Sequence, residues 1–239
     1  MIEMNIQKAR QKAAEVLLND LEDISTVALG SGSTITQFIP LFAKYMKRRN
    51  MFERLRVIPS SSHTYYSLIK YGFSLATLDE FPSPDIYIDS ADEVDRNLNM
   101  LKGGGGALAR EKILAYASSR KYIIIDSKKL VQYLGEHHSL PIEILPFAYS
   151  SVVLTIKKMY RVSPSLRMSK KRLGPVITDN GNYLLDVKLN KISSPKDVDT
   201  QIKLIPGVVE TGLFINLADK VYVGTDRKVL VLEKSTKNI

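Results

Sequence analysis

Short apolar runs alternate with helical segments through the first half of this chain, and this alternation constrains the fold more than any other feature. The apolar runs predict strands at residues 24–29, 56–58, 85–89 and 121–126. Between them lie segments with apolar residues at helical spacing. Strands that alternate with helices build βαβ units and a parallel sheet. We therefore predict an α/β protein whose first domain is a doubly wound, mostly parallel sheet.

The pattern changes after about residue 130. A proline-punctuated strand, a helix, a hairpin with Asn180-Gly181 at its turn, a helix begun by Ser194-Pro195 and a further strand follow in that order. The order strand–helix–strand–strand–helix–strand predicts a second, smaller α+β domain of the ferredoxin-like type. The last apolar runs are expected to return to the first sheet. The predicted domains are residues 1–130 plus 217–239, a Rossmann-like domain, and residues 131–216.

The composition excludes several classes of protein. There is no cysteine, so disulfide frameworks, thiol nucleophiles and cysteine-ligated metals are excluded. Of the three histidines, His63 is isolated and is expected at a helix start, while His137 and His138 are adjacent in a predicted loop, so no metal site is predicted. No apolar run approaches the about 18 residues of a membrane span, and the N-terminus lacks a signal-peptide pattern. These features predict a cytoplasmic protein without a membrane partner.

The net charge of +9 raises the question of nucleic-acid binding. Much of the excess lies between Ile144 and Thr178, where no acid interrupts the lysines and arginines. Aromatic residues are sparse among these basic residues, with Tyr160 standing alone. The segment from Lys157 to Arg172 therefore favours a solvated basic face that attracts anions, although a second role for it stays open.

A glycine-rich segment, Gly30-Ser-Gly-Ser-Thr34, follows the first predicted strand and begins a helix. Glycines let the backbone approach an anion, and the helix N-terminus presents free N–H groups. The segment lacks the later glycine of a dinucleotide fingerprint and the Gly-Lys pair of a Walker loop. It therefore favours a small phosphate monoester over a nucleotide. The alternative is that the serines and threonine are ordinary helix caps.

Acidic, glycine-rich and basic residues follow the third predicted strand in close succession. Asp89 and Asp92 flank a short turn, and Lys102 precedes four glycines. In an open α/β sheet, ligands bind off the carboxyl ends of the strands, where Asp89 is predicted to lie. The carboxylates could bind sugar hydroxyls or act in proton transfer, or they could cap turns and helices. The glycines favour a tight backbone passage at a ligand over a mobile surface loop.

The roles of three further charged residues depend on their surroundings in the fold. Glu111 lies in the predicted helix after the glycines, where a carboxylate could simply pair with a neighbouring cation on a solvated face. Lys128 and Lys129 follow the fourth predicted strand, and either could reach an anion at the same sheet edge or lie on the surface.

In their order along the chain, these segments resemble ribose-5-phosphate isomerases of the A type. The family's glycine-X-glycine-serine-threonine loop corresponds to residues 30–34, and its Asp-Gly-Ala-Asp-Glu segment to residues 89–93. Its Lys-Gly-Gly-Gly and Arg-Glu-Lys segments correspond to residues 102–105 and 110–112. Its Asp-X-X-Lys strand end corresponds to residues 126–129. The resemblance spans nearly the whole chain.

The resemblance implies a reaction and a set of roles. Members of this family interconvert D-ribose 5-phosphate and D-ribulose 5-phosphate through a cis-enediolate, a route that requires no metal and no organic cofactor. Glu111 would be the catalytic base, and the sugar would be held by Asp89, Asp92 and Lys102. Lys102 and the glycine-loop amides would stabilise the oxyanion, with the amides supplied by Gly103, Gly104 and Gly105. The phosphate would be held by Ser31, Gly32, Ser33, Thr34 and Lys129.

The resemblance also implies a partner class: a small sugar phosphate, no nucleic acid, and further copies of the chain in a homodimer or homotetramer. Three positions depart from the family pattern. Ser90 stands where the family usually has glycine, and Ser31 where it often has threonine. An N-terminal lysine that reaches the phosphate in the family has no secure match, with Lys8 and Lys12 as candidates.

Two rival functions are weaker. A sugar-phosphate-sensing regulator would need a DNA-reading module ahead of its effector domain, and only one predicted helix and one strand precede Gly30. An amino-sugar-phosphate isomerase or lactonase of similar architecture is disfavoured by the pattern from Asp89 to Glu111.

Overall fold

The computed structural model of the protein describes residues 5–170 and 173–234. Within these residues the chain forms two compact units. The first comprises residues 5–91, 110–130 and 216–234, and the second comprises residues 92–109, 131–170 and 173–215. Each unit has a hydrophobic core of its own.

The helices and strands follow one another in mixed order. The helices are α1 (Ile6–Asn19), α2 (Gly32–Arg48), α3 (Ser62–Lys70), α4 (Leu108–Ala117), α5 (Tyr149–Tyr160) and α6 (Pro195–Lys203). The strands are β1 (Thr26–Leu29), β2 (Arg56–Pro59), β3 (Ile86–Asp89), β4 (Glu93–Val94), β5 (Met100–Leu101), β6 (Arg120–Asp126), β7 (Leu140–Ile144), β8 (Ser165–Leu166), β9 (Tyr183–Val187), β10 (Val208–Thr211), β11 (Leu213–Phe214), β12 (Lys220–Gly224) and β13 (Val229–Glu233).

The first unit is built on a six-stranded sheet with the order β13-β12-β6-β3-β1-β2. All neighbours in this sheet are parallel except β12 and β13. Strands β1 and β3 are buried along their whole length, as parallel strands covered by helices on both faces are. The predicted doubly wound, mostly parallel sheet is confirmed. From β1 the chain moves to one side and from β3 to the other, so the switch point, where such folds bind ligands, lies between these two strands.

Helices α1 and α2 pack apolar faces against this sheet. The side chain of Asn5 accepts a hydrogen bond from the backbone N–H of Lys8 at 3.0 Å and so caps α1. In α2, Phe38 and Phe42 stack with ring centroids 5.2 Å apart, and Phe42 stacks in turn on Phe73 at 5.5 Å. The second contact anchors the middle of α2 to the segment that follows α3.

The second unit contains a four-stranded antiparallel sheet with the order β10-β7-β9-β8. Its elements follow the chain as β7-α5-β8-β9-α6-β10. Numbered within this unit, the spatial order of the strands is 4-1-3-2, which is the ferredoxin-like arrangement. The predicted smaller α+β domain is therefore confirmed in type. Ile142, Ile156 and Ile202 are fully buried in its core.

One segment lies in a different unit from the one the sequence predicts. The prediction assigned residues 92–109 to the first domain, whereas they group with the second unit. The reason is a small three-stranded sheet in which β5 pairs with both β4 and β11. Two-residue strands carry no sequence signal of their own, and their partner, Leu213–Phe214, lies more than a hundred residues further along the chain. Asn216 in turn groups with the first unit, one residue earlier than predicted.

Across residues 5–170 and 173–234, no helix combines the length and the apolar character needed to cross a membrane.

Candidate active site

The loop between β1 and α2 has the geometry of an anion site. Helix α2 begins at Gly32, and both Gly32 and Ser33 are exposed at its N-terminus. Ser31 occupies the N-cap position, yet its side chain makes no capping hydrogen bond. Its hydroxyl instead donates to Oε1 of Glu111 at 2.5 Å. For Ser31, the alternative of an ordinary helix cap is therefore wrong.

Gly30 lies against Asp89, the last residue of β3. A Cβ atom at position 30 would lie 1.8 Å from Cγ of Asp89, so no side chain fits there while Asp89 keeps its place. The backbone N–H of Gly30 donates to the carbonyl of Ile88 at 3.0 Å. The phosphate-type loop and the first aspartate are thus brought together at the switch point of the sheet.

Asp89 is fully buried at the end of β3. It accepts a hydrogen bond from the hydroxyl of Tyr87 and another from the backbone N–H of Ser90 at 2.7 Å. Burial raises the pKa of the Tyr87 hydroxyl well above its usual range, and the negative charges of Asp89 and Glu111 raise it further. Tyr87 therefore stays protonated and remains a hydrogen-bond donor to Asp89. Tyr87 was missed from the sequence, although a strand places residues i and i+2 on one face.

Glu111 lies in the first turn of α4 and is only 3% exposed. The alternative of a carboxylate on a solvated face is therefore wrong for this residue. A carboxylate in the first turn of a helix is favoured by the helix dipole. Through Ser31 it is tied directly to the loop that precedes α2. The first unit thus places a buried carboxylate beside an anion-type loop.

Lys129 and Lys128 differ clearly in the structure. Lys128 is exposed, whereas the ammonium group of Lys129 donates to the Ser90 hydroxyl at 3.2 Å and to the carbonyl of Ala91. Lys129 therefore lies at the turn after Asp89, whereas the surface alternative holds for Lys128. Ser90 has no left-handed backbone conformation, so this turn does not require the glycine that the family usually has there.

Arg10 of α1 reaches the same region. Its guanidinium binds the carboxylate of Asp126, with Nε at 2.9 Å and Nη2 at 2.8 Å from Oδ2, and its Nη1 lies 3.4 Å from the hydroxyl of Ser33. The ammonium group of Lys12 instead donates to the backbone carbonyl of Asp226 at 2.7 Å. Sequence reasoning considered only lysines here. The available signal was that Arg10 continues the stripe of Ala14 and Leu17 on the buried face of α1.

The second unit holds Asp92, Lys102 and the glycines that follow. Lys102 is buried, its ammonium group lies 5.3 Å from the centre of the Phe214 ring, and its backbone N–H donates to the carbonyl of Gly212 at 2.8 Å. The backbone N–H of Gly104 donates to Oδ2 of Asp92 at 2.9 Å. Within this unit the predicted aspartate is thus joined directly to the predicted glycine loop, and Gly104 and Gly105 are exposed.

His63 lies in the first unit, whereas the backbone N–H groups of His137 and His138 both donate to Glu93 in the second unit. His63, at the start of α3, lies 3.1 Å from the hydroxyl of Thr36, and His138 lies 3.1 Å from the buried carboxylate of Glu93. No group of three or more histidines and carboxylates in the described parts of the chain could hold a metal ion.

The doubly wound sheet, an anion-type loop at its switch point and a buried carboxylate bonded to that loop define a class: α/β enzymes that act on small phosphate esters. Comparison with known proteins gives the family. The family model described as ribose 5-phosphate isomerase A (phosphoriboisomerase A) matches residues 56–228. This chain belongs to that family.

Individual relatives agree along almost the whole chain. The ribose-5-phosphate isomerase A of Pyrococcus horikoshii is 38% identical over 97% of this chain and 100% of its own length. The human ribose-5-phosphate isomerase is 42% identical over 90% of this chain and 70% of its own length. A solved D-ribose-5-phosphate isomerase in complex with phospho-erythronic acid superposes with a TM-score of 0.92, at 37% identity, over 96% of this chain and 100% of that one.

Proposed function

We infer that this chain is an aldose–ketose isomerase that interconverts D-ribose 5-phosphate and D-ribulose 5-phosphate. Membership of the ribose 5-phosphate isomerase A family supports this function. The single observation that carries the chemistry is the hydrogen bond from Ser31 to Glu111. This hydrogen bond links Glu111, which is suited to proton transfer, with the loop that is suited to bind the phosphate. Binding of the phosphate end of the substrate would therefore fix the sugar relative to the base.

Glu111 is proposed as the catalytic base. It would remove the proton from C2 of the open aldose and return it to C1, while the hydroxyl proton at O2 leaves and O1 gains one. The intermediate between the two transfers is a cis-enediolate, which lets one carboxylate on one face serve both steps. Its burial and its hydrogen bond from Ser31 support this role, because they hold the carboxylate in one orientation for proton transfer.

Asp89, Asp92 and Lys102 are proposed to hold the sugar and to assist ring opening. Asp89 would accept hydrogen bonds from sugar hydroxyls, with its orientation fixed by Tyr87 and by the backbone of Ser90. Lys102 would place its positive charge near the oxygen that becomes negative in the enediolate. The amides of the loop formed by Gly103, Gly104 and Gly105 would donate to the same oxygen.

The phosphate is proposed to bind at the start of α2, held by Ser31, Gly32, Ser33, Thr34 and Lys129. The exposed N-terminal turn of that helix supports this assignment. We add Arg10, whose guanidinium lies beside Ser33.

Arg10→Ala should raise KM several-fold, while Lys12→Ala should leave it near the parental value. Equal KM values for the parent protein and Arg10→Ala would remove Arg10 from this set.

The test of the function is a coupled isomerase assay on ribose 5-phosphate, run with and without EDTA. We expect full activity in both conditions. The Glu111→Gln variant should still bind the sugar phosphate but lose about 10²–10⁴-fold in kcat, the range that a positioned acid–base group contributes. An inactive parent protein would contradict the function, and a Glu111→Gln variant with parental kcat would contradict the role of Glu111.

The assembly proposed is a homodimer or homotetramer. Helices α3 and α4 of the first unit expose large apolar side chains, namely Tyr65, Tyr66, Ile69, Ile113 and Tyr116. Several large apolar side chains exposed on two helices favour a protein–protein contact. Light scattering coupled to size-exclusion chromatography should give two or four times the chain mass of 26.9 kDa, and a monomer at micromolar concentration would contradict the proposal. A cytoplasmic location remains a prediction.

A further inference from the structure

Arg167 lies in the second unit, just after β8, and its side chain holds the glycine loop that follows Lys102. Its Nη1 donates to the carbonyl of Gly103 at 2.8 Å and to the carbonyl of Gly104 at 3.2 Å. Asp186 binds the other edge of the guanidinium: Nε donates to Oδ2 at 2.9 Å, and Nη2 donates to Oδ1. One side chain therefore contacts two successive peptide units of the loop.

The backbone around Arg167 is fixed from both sides. Its N–H donates to the carbonyl of Leu184, and its carbonyl accepts from the N–H of Val176, each at 2.8 Å. Asp186 lies on β9, which pairs with β8 immediately before Arg167. The guanidinium thus projects from a backbone segment that is hydrogen-bonded on both sides, directly beyond β8. Such support suits a side chain that must hold a flexible neighbour in one conformation.

The contacts of Arg167 set the direction of two amide groups. In a trans peptide the carbonyl and the N–H of one unit point in opposite directions. Because the guanidinium binds the Gly103 carbonyl, the N–H of Gly104 points away from it and donates to Asp92. Because it also binds the Gly104 carbonyl, the N–H of Gly105 is turned away from the guanidinium in the same manner.

The glycine loop needs contacts from residues outside it to keep one conformation. Four consecutive glycines have more backbone freedom than any other sequence of that length. A charge-assisted hydrogen bond to a carbonyl also polarises the peptide unit and strengthens the N–H on its other side as a donor. Lysine cannot replace arginine here, since its single ammonium cannot bridge a carboxylate and two carbonyls in a fixed plane.

We propose that Arg167 is a positioning residue for the oxyanion-binding amides of the glycine loop, and that Asp186 orients Arg167 for this task. This inference rests on the proposed function, in which the loop amides stabilise the enediolate. Arg167 acts through Gly103 and Gly104, so its removal should impair the chemical step more than the binding of substrate.

The test compares Arg167→Ala, Arg167→Lys and Asp186→Asn with Lys158→Ala, which removes a positive charge from an exposed position of the same basic segment. Arg167→Ala should lose about 10²–10³-fold in kcat, the range for removal of an oxyanion donor, with KM changed less than about threefold. Arg167→Lys should stay closer to Arg167→Ala than to the parent. Asp186→Asn should lose less, and Lys158→Ala should match the parent protein.

Chemical rescue separates positioning from a merely structural role. Guanidinium or ethylguanidinium ions at millimolar concentration should restore part of the kcat of Arg167→Ala and none of that of Glu111→Gln. Parental kcat in Arg167→Ala, or a change in KM alone, would overturn the inference. If Arg167→Ala does not fold, a folded Arg167→Lys variant with parental kcat would overturn it equally. An inactive parent protein would instead contradict the proposed function.

Discussion

Two glycine-rich loops carry most of the proposed binding and catalytic backbone, and they are held in different ways. The loop from Gly30 to Thr34 joins a buried strand directly to a helix, and Gly30 packs against Asp89 on the neighbouring strand. The loop after Lys102 is held by side chains outside it, namely Asp92, 12 positions before Gly104, and Arg167, 64 positions after Gly103. The flanking strand and helix fix the conformation of the first loop, whereas hydrogen bonds from side chains fix that of the second.

The difference follows from what each loop is proposed to bind. A phosphate is a fixed feature of substrate, intermediate and product, so a helix N-terminus with permanently oriented N–H groups suits it. The oxyanion appears only during the reaction, and its donors must be placed for an atom that becomes negative later. The comparison therefore predicts that damage to the first loop affects folding or substrate affinity, whereas damage to the second affects turnover.

The largest effect is expected for Gly30→Ala. The new Cβ would overlap the carboxylate of Asp89, a fully buried group, so the strand end or the aspartate must move. We expect a loss of at least about 10³-fold in kcat/KM, or protein that does not accumulate in a folded form.

The matched control for Gly30→Ala is Gly72→Ala. Gly72 has a φ of +80° but no atom within 4 Å of its Cβ position, so only backbone strain of about 1–2 kcal/mol is expected. Its activity should remain within about threefold of the parent protein. Parental kcat/KM in Gly30→Ala would show that the first loop is not held by the contact with Asp89.

A smaller effect is expected for Lys129→Ala. Its ammonium group lies at the turn after Asp89, so its loss should weaken substrate binding and raise KM about 10–100-fold with little change in kcat. Lys128→Ala, at the exposed neighbouring position, should behave like the parent protein. If the two variants had equal KM values, Lys129 would not belong to the phosphate site.

The smallest effect is expected for Gly104→Ala in the second loop. Its Cβ would lie 3.1 Å from both carboxylate oxygens of Asp92, a distance that a shift of a few tenths of an ångström relieves. We expect kcat to fall about 3–10-fold with KM nearly unchanged. In the Arg167→Ala background the same substitution should cost less, because both changes disturb one set of contacts. Strictly additive losses would separate Arg167 from the loop.

Local sequence patterns predicted the first loop and its surroundings well. The βαβ alternation, Gly30-Ser-Gly-Ser-Thr34 and the strand end at Asp89 are each recognised from a few neighbouring residues, and the structure has the predicted strand, loop and helix at these positions. Even here the partner of Ser31 was not predictable, because Glu111 lies 80 positions away along the chain.

Long-range contacts explain what the sequence could not predict. Arg167 lies 64 positions from Gly103, and within a run of basic residues it has no feature that separates it from its neighbours. The pairing of β5 with β11 moves residues 92–109 into the second unit for the same reason. Such contacts depend on how the chain returns on itself, which periodicity and turn chemistry do not encode.

Proton transfer by Glu111 is the central claim, and isotope exchange tests it most directly. Ribose 5-phosphate is brought to equilibrium with the parent protein in D₂O over many turnovers, and the sugar phosphates are analysed by NMR. We expect deuterium bonded to C1 of ribulose 5-phosphate and C2 of ribose 5-phosphate, and exchange slowed about 10²–10⁴-fold in Glu111→Gln. Deuterium-free products from the parent protein, or exchange at the parental rate in Glu111→Gln, would contradict the account.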